Sequence, residues 1–165
     1  MKDYRGIAYF DMDGVLANCL WRLKFLDNGD YTSFYDPENI KKDTLIYDGR
    51  TLLNMYRNAG YKILIVTSRR ESCRDATWEW LKKHDIDIPK ENIYLRANDD
   101  TRKSWEVKKD LVKKANKDHM RDYLPLENAH FFVDDYPENC EAISREFPSI
   151  TTICFGVGRM NTGGC

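Results

Sequence analysis

Short apolar runs alternate with amphipathic stretches along this 165-residue chain. Ile7–Phe10 is nearly continuous in apolar character, the pattern of a strand covered on both faces. Leu16 to Leu26 predicts a helical turn or short helix. Asp43–Asn58 predicts a helix with a stripe of Leu45, Leu52, Leu53 and Tyr56, and Gly60 marks its exit. Tyr61–Val66, apolar and β-branched, predicts a second core strand. Ser72–Lys83 predicts a helix on which Cys73, Thr77, Trp80 and Leu81 fall near helical period. A strand at Ile93–Leu95 leads into a charged loop, Arg96–Lys103, and a helix at Trp105–Ala115. A strand at Phe131–Val133, a helix at Pro137–Phe147 and a last strand at Ile150–Phe155 complete the pattern.

Strands that alternate with helices predict an α/β fold, a doubly wound, mostly parallel sheet with right-handed crossovers. The length suits one domain, 1–165, with its own core. The stretch 27–42 is polar, aromatic-rich and broken by Gly29 and Pro37. It is too short for a separate core and predicts a flap or small cap over the site.

Acidic and basic residues number 27 and 26, so net charge carries no nucleic-acid signal, although a local basic cleft remains open. No apolar run reaches the length of a membrane span. Lys2, Asp3 and Arg5 place charge where a signal segment would be apolar. The five cysteines, Cys19, Cys73, Cys140, Cys154 and Cys165, lack CxxC spacing, which argues against a disulfide framework or structural zinc. Reduced thiols and a cytoplasmic location are expected, with Cys165 the one exposed.

The chemistry lies at the strand ends. Asp11 and Asp13 follow the first strand, two residues apart, and Asp134-Asp135 follow the fourth. Carboxylates at the C-terminal ends of parallel strands converge on the crevice where such sheets bind ligands. One carboxylate can attack phosphorus while its neighbour moves the proton. Together they can hold a hard cation such as Mg²⁺. The bland alternatives are an acidic strand end that caps a helix and an acidic turn that leads into Pro137. Thr67, Ser68 and Arg69 end the second strand, where hydroxyl, backbone N–H and guanidinium suit phosphate oxygens. A lysine is needed to offset the charge, and Lys108 is preferred, though spacing does not separate it from Lys103, Lys109, Lys113 or Lys114.

The ordered set DMDGV, VTSR, a lysine and FFVDD resembles the haloacid dehalogenase-like phosphotransferases. That resemblance implies Asp11 as nucleophile, Asp13 as general acid and base, Thr67 as the phosphate-binding hydroxyl and Lys108 as the neutralising lysine. It implies Mg²⁺ held by Asp11, the Asp13 backbone carbonyl and Asp134, with Asp135 assisting. Asp100-Thr101-Arg102-Lys103 before Val107-Lys108 is similar to the phosphatase module of phage-type polynucleotide kinase-phosphatases. In that family a serine-glycine-arginine ends the second strand, matched here by Thr67-Ser68-Arg69, and an arginine lies nine residues after the second aspartate, matched by Arg22. An acidic residue four before the lysine is replaced by Ser104, with Glu106 as a nearby substitute.

The resemblance implies removal of a 3′-phosphate from a DNA or RNA end or a nucleotide, with Arg22, Ser68, Arg69 and Arg102 on the substrate, Arg96 joining Arg22, Arg69 and Arg102 along the approach to backbone phosphates, and a separate kinase or ligase as partner. No G-x-x-x-x-G-K-[ST] string occurs, so 5′-kinase activity is not expected of this chain. The competing expectations are a 5′-nucleotidase or other small-metabolite phosphatase on the same core, and a non-catalytic phosphopeptide or nucleic-acid binding module.

Overall fold

A computed structural model describes residues 4–120 and 129–156. In chain order the elements are β1 (Ile7–Phe10), β2 (Ala17–Asn18), α1 (Leu23–Asp27), α2 (Tyr31–Phe34), α3 (Pro37–Ile40), β3 (Thr44–Leu45) and α4 (Tyr47–Asn58). They continue with β4 (Lys62–Arg70), α5 (Arg74–Lys83), β5 (Ile93–Arg96), α6 (Ser104–His119), β6 (His130–Asp134), α7 (Pro137–Glu146) and β7 (Ile150–Cys154). Five strands form one parallel sheet in the order β5-β4-β1-β6-β7. The expected α/β architecture is what the chain adopts.

Alternation along the strands sends side chains to two cores. Ala8, Phe10, Ile63 and Ile65 face Leu53 of α4 and Trp80 and Leu81 of α5. Ile7, Tyr9, Leu64 and Val66 face Val112 and Ala115 of α6 and Ile143 of α7. Helices therefore cover both faces, and β1 sits in the middle with every residue buried. That burial explains the near-continuous apolar run from Ile7 to Phe10.

Most boundaries shift by a residue or two, and the helical stretch expected over Leu16–Leu26 gives way to β2 and turns helical only from Leu20; three further differences have a clear local reason. The helix expected from Asp43 starts at Tyr47, because Thr44–Leu45 pair antiparallel with Ala17–Asn18. The helix expected over Trp105–Ala115 runs over Ser104–His119, and at its start the Glu106 carboxylate accepts from the Lys103 backbone N–H at 3.1 Å. The second core strand runs on to Arg70 and takes Thr67-Ser68-Arg69 into the sheet.

The 27–42 segment holds two four-residue helices. Asp30 accepts from the Ser33 N–H and Asp36 from the Glu38 N–H, which caps each one. Phe34 and Ile40 are buried, the latter in a cluster with Cys73 and Ala76. The segment is thereby fixed to the start of α5. Cys73, Cys140 and Cys154 are free thiols and Cys19 is disulfide-bonded, so the expectation of reduced cysteines fits three of the four described. Cys165 lies outside the described residues. Among the described residues no helix is long and apolar enough to cross a membrane.

Candidate active site

Asp11 stays in the sheet, donating its backbone N–H to Val133 O at 3.0 Å. Beyond it the chain turns sharply, with Met12 O accepting from Leu16 N at 2.9 Å and Ala17 N at 2.8 Å. Gly14 makes the turn possible with a φ of +83°, and a Cβ there would sit 2.2 Å from Asp135 Oδ2. Glycine is thus required both for its left-handed backbone and for the room it leaves the second acidic pair.

Asp11, Asp134 and Asp135 offer carboxylate oxygens within 4.8 Å of one another. Lys108 reaches into this group from α6, with its ammonium 2.7 Å from Asp11 Oδ2 and ion-paired with Asp134 Oδ2. Asp134 is oriented through its other oxygen, which accepts from Asn139 Nδ2 at 3.0 Å and Tyr136 N at 2.9 Å. Of the candidate lysines, only Lys108 is fully buried. Asn139 carried no signal in the sequence, since an asparagine in the first turn of a helix is ordinary.

Three carboxylates against one ammonium leave two negative charges in a buried site. Burial, with the Asp134 and Asp135 carboxylates, holds Asp11 well above the usual carboxylate range despite Lys108. Burial and Asp134 raise Asp135 to about 7. Neither Asp135 oxygen has a hydrogen-bond partner among the described residues, although both are buried. Such a charge deficit and two orphaned acceptors fit a divalent cation with oxygen ligands. The carboxylates that fit it are Asp11, Asp134 and Asp135.

The Asp13 side chain is bound by two arginines and is not one of the three clustered carboxylates. Its carboxylate accepts from Arg69 Nε at 3.1 Å and from Arg22 Nη2 at 2.9 Å. Burial alone would raise Asp13, but Arg69 and Arg22 outweigh it and hold the carboxyl at about 2. Both arginines also grip Asp43. Arg22 donates through Nε at 2.9 Å and Nη2 at 2.7 Å, and Arg69 through Nη2 at 3.1 Å. Arg22 Nη1 donates to Phe34 O at 2.7 Å, and Arg69 Nη1 to Thr77 Oγ1 at 3.2 Å. Asp43 is held in turn by Trp21 Nε1 at 2.9 Å on its side chain and by Trp80 Nε1 at 2.8 Å on its carbonyl. Asp43 was missed in the sequence, where it reads as the first residue of a helix.

The substrate contacts expected of Arg22 and Arg69 therefore meet a different arrangement. Both guanidiniums are fully buried, and their donors bind Asp13 and Asp43. Arg102 lies outside the cluster, half exposed, with its donors closing the Asp100 loop onto Asp110 of α6. Thr67 and Ser68 face opposite ways. Ser68 Oγ lies 2.6 Å from Ser104 Oγ at the start of α6, the helix that carries Lys108. Thr67 Oγ1 accepts from the Arg69 backbone N–H at 3.2 Å. The β4–β5 register shifts between Thr67 and Arg70, a bulge that re-aims these side chains.

A parallel sheet with two helical layers, a small antiparallel insert and this carboxylate–lysine group define a haloacid dehalogenase-type fold with a candidate catalytic centre at its strand ends. The family profile for the polynucleotide kinase PNKP phosphatase domain matches residues 6–138, and the chain belongs to that family. Among solved structures, it is similar to a chain of the Pnkp1/Rnl/Hen1 RNA repair complex (TM-score 0.65, 22% identity, covering 90% of this chain and 41% of that one). A second structure of the Pnkp1/Rnl/Hen1 complex gives a TM-score of 0.63 at 21% identity, covering 93% and 46%. A haloacid dehalogenase-like hydrolase from Streptococcus pneumoniae gives 0.61 at 17% identity, covering 92% and 84%. This chain thus spans less than half the length of the two repair-complex chains. No curated protein sequence matches.

The charge balance gives a direct test of the cation. Asp11 and Asp135 bind their protons more tightly folded than unfolded. Their stabilising contribution is therefore full below the unfolded value near 4; that of Asp135 is lost as pH rises through about 7, and that of Asp11 as pH rises through its own raised value. A cation that takes the place of those protons restores it. The Mg²⁺-induced rise in Tm, measured against EDTA, is expected to be several degrees larger at pH 8 than at pH 5. An equal rise at both pH values would remove these carboxylates from the cation site.

Proposed function

We propose that this chain is a Mg²⁺-dependent phosphomonoesterase that removes 3′-phosphates from polynucleotide ends or nucleoside 3′-phosphates. The observation that carries the reading is the buried group of Asp11, Lys108, Asp134 and Asp135, joined to the family match. Asp11 attacks phosphorus, the bond to the leaving oxygen breaks, and an aspartyl-phosphate forms. Lys108, whose ammonium is strengthened by its carboxylate neighbours although burial opposes it, stays charged throughout and faces the incoming phosphate. Asp11, Asp134 and the Asp13 backbone carbonyl, with Asp135 beside them, would hold Mg²⁺, which when bound would offset repulsion between carboxylate and phosphate.

Asp13 gives the leaving oxygen its proton and then takes one from the water that hydrolyses the intermediate. As a base it is ready, being ionised by Arg69 and Arg22. As an acid it must first leave the arginine fork, a change favoured by the negative charge of a bound phosphate. For the phosphate-holding hydroxyl we assign Ser68 rather than Thr67, because Ser68 points to the α6 side with Lys108. Arg22 and Arg69 then act through Asp13, and Arg102 through the loop it closes. The likeness to chains of an RNA repair complex supports a role that supplies ends to a separate kinase or ligase.

Phosphate release with Mg²⁺ from a 3′-phosphorylated oligonucleotide, a nucleoside 3′-monophosphate and a nucleoside 5′-monophosphate tests the reading. The highest kcat/KM is expected on the oligonucleotide. A preference for the 5′-monophosphate would make the chain a nucleotidase on the same catalytic core.

A further inference from the structure

Beside the compensated arginines lie two that have no counter-charge among the described residues. Arg70 ends β4 and Arg96 ends β5, and the two are direct partners in the parallel register. Like charges placed opposite each other on neighbouring strands destabilise a sheet. Neither has a carboxylate within ion-pair distance among the described residues, whereas Arg22 and Arg69 next door share Asp13 and Asp43. Both Nε atoms are buried with no hydrogen-bond partner among the described residues. Arg96 is aimed by two backbone carbonyls, Asp100 O at 3.1 Å and Arg102 O at 2.7 Å, both bound through Nη1. Arg70 is aimed by stacking, with its guanidinium carbon 5.3 Å from the centre of the Tyr35 ring. Along β4 Arg70 directly follows Arg69, which binds Asp13, and its stacking partner Tyr35 directly follows Phe34, whose carbonyl accepts from Arg22. The pair therefore adjoins the catalytic group on its Asp13 side. Burying an unpartnered donor on a charged group is costly, and here it occurs twice on facing strands.

We propose that Arg70 and Arg96 form a second phosphate site, which holds a phosphate on the 5′-oxygen of the nucleoside whose 3′-phosphate is removed. This rests on the phosphatase reading above. A planar fork of donors on each side suits the oxygens of a phosphate. The 5′-phosphate comes either from a diester, in a polynucleotide end, or from a monoester, in a nucleoside 3′,5′-bisphosphate. A nucleoside 3′-monophosphate leaves the site empty, so the pair selects substrates that carry two phosphates.

Calorimetric titration of the Asp11→Asn protein with Mg²⁺ tests this without turnover. The probes are adenosine 3′-monophosphate, adenosine 3′,5′-bisphosphate and a 3′-phosphorylated adenosine dinucleotide. At least one two-phosphate probe is expected to bind tenfold or more tightly than the monophosphate. Arg70→Gln and, separately, Arg96→Gln in the same background are expected to cancel that preference, and Arg70→Lys to restore part of it. A parent with no preference, or a preference that survives both substitutions, would overturn the second site. If instead the wild-type protein releases phosphate from none of the probes while the preference persists, the phosphatase reading fails and the second site stands.

Discussion

Asp11→Asn is expected to give a folded protein that releases no measurable phosphate, a loss on the order of 10⁴-fold or more, as when a nucleophile is removed from a covalent mechanism. The amide keeps the shape of the side chain but cannot attack phosphorus. Stability is expected to move the other way. Asp11 is buried beside two further carboxylates, and its charged form is disfavoured there. Making it neutral leaves Lys108 still paired with Asp134 and lowers the surplus negative charge from two to one. In EDTA at pH 8 the variant is therefore expected to melt higher than the parent, and to gain less from Mg²⁺. Phosphate release and paired melting curves check both parts. Retained turnover would take the nucleophile from Asp11. A lower melting point in EDTA would mean that the Lys108–Asp11 contact outweighs the carboxylate repulsion.

The carboxylate site was legible in the sequence because its residues stand at the ends of strands. Asp11, Asp134 and Asp135 each follow an apolar run, and a parallel sheet brings such ends to one crevice. Lys108 was not legible by spacing, since five lysines crowd one helical region. Burial singles it out, and burial is a tertiary property. The arginines were legible as residues but not as partners. A guanidinium near a phosphate site suggests a substrate contact, and only the fold shows Arg22 and Arg69 closed on Asp13 and Asp43. Ordinary strand alternation sends Ser68 and Arg69 to opposite sides, but the register shift in β4 that leaves Arg70 opposite Arg96 is something no linear pattern encodes. The short β2–β3 ribbon was missed for a similar reason, as two-residue strands have no period to read.

Asp43→Asn is expected to cost about 3–5 kcal/mol, because it breaks a buried ion network and leaves its cations short of charge. For a chain of this size that lowers Tm by about 6–20 °C. The network is balanced as it stands, two guanidiniums against two carboxylates, all of them buried. Without the Asp43 charge, Arg22 and Arg69 both fall on Asp13 alone. Asp13 is already held at about 2, so its proton becomes harder still to load. The catalytic consequence depends on the leaving group. A nucleoside oxygen needs a proton to depart, whereas p-nitrophenolate departs without one. The variant is therefore expected to lose at least tenfold more kcat/KM on a nucleoside 3′-phosphate than on p-nitrophenyl phosphate, when both are measured below its Tm. Equal losses on the two substrates would reduce Asp43 to a purely structural part. A Tm change within 2 °C would show that Asp13 alone suffices for the two arginines. If both expectations hold, Asp43 is a positioning residue that keeps the arginines compensated while Asp13 leaves them to carry its proton.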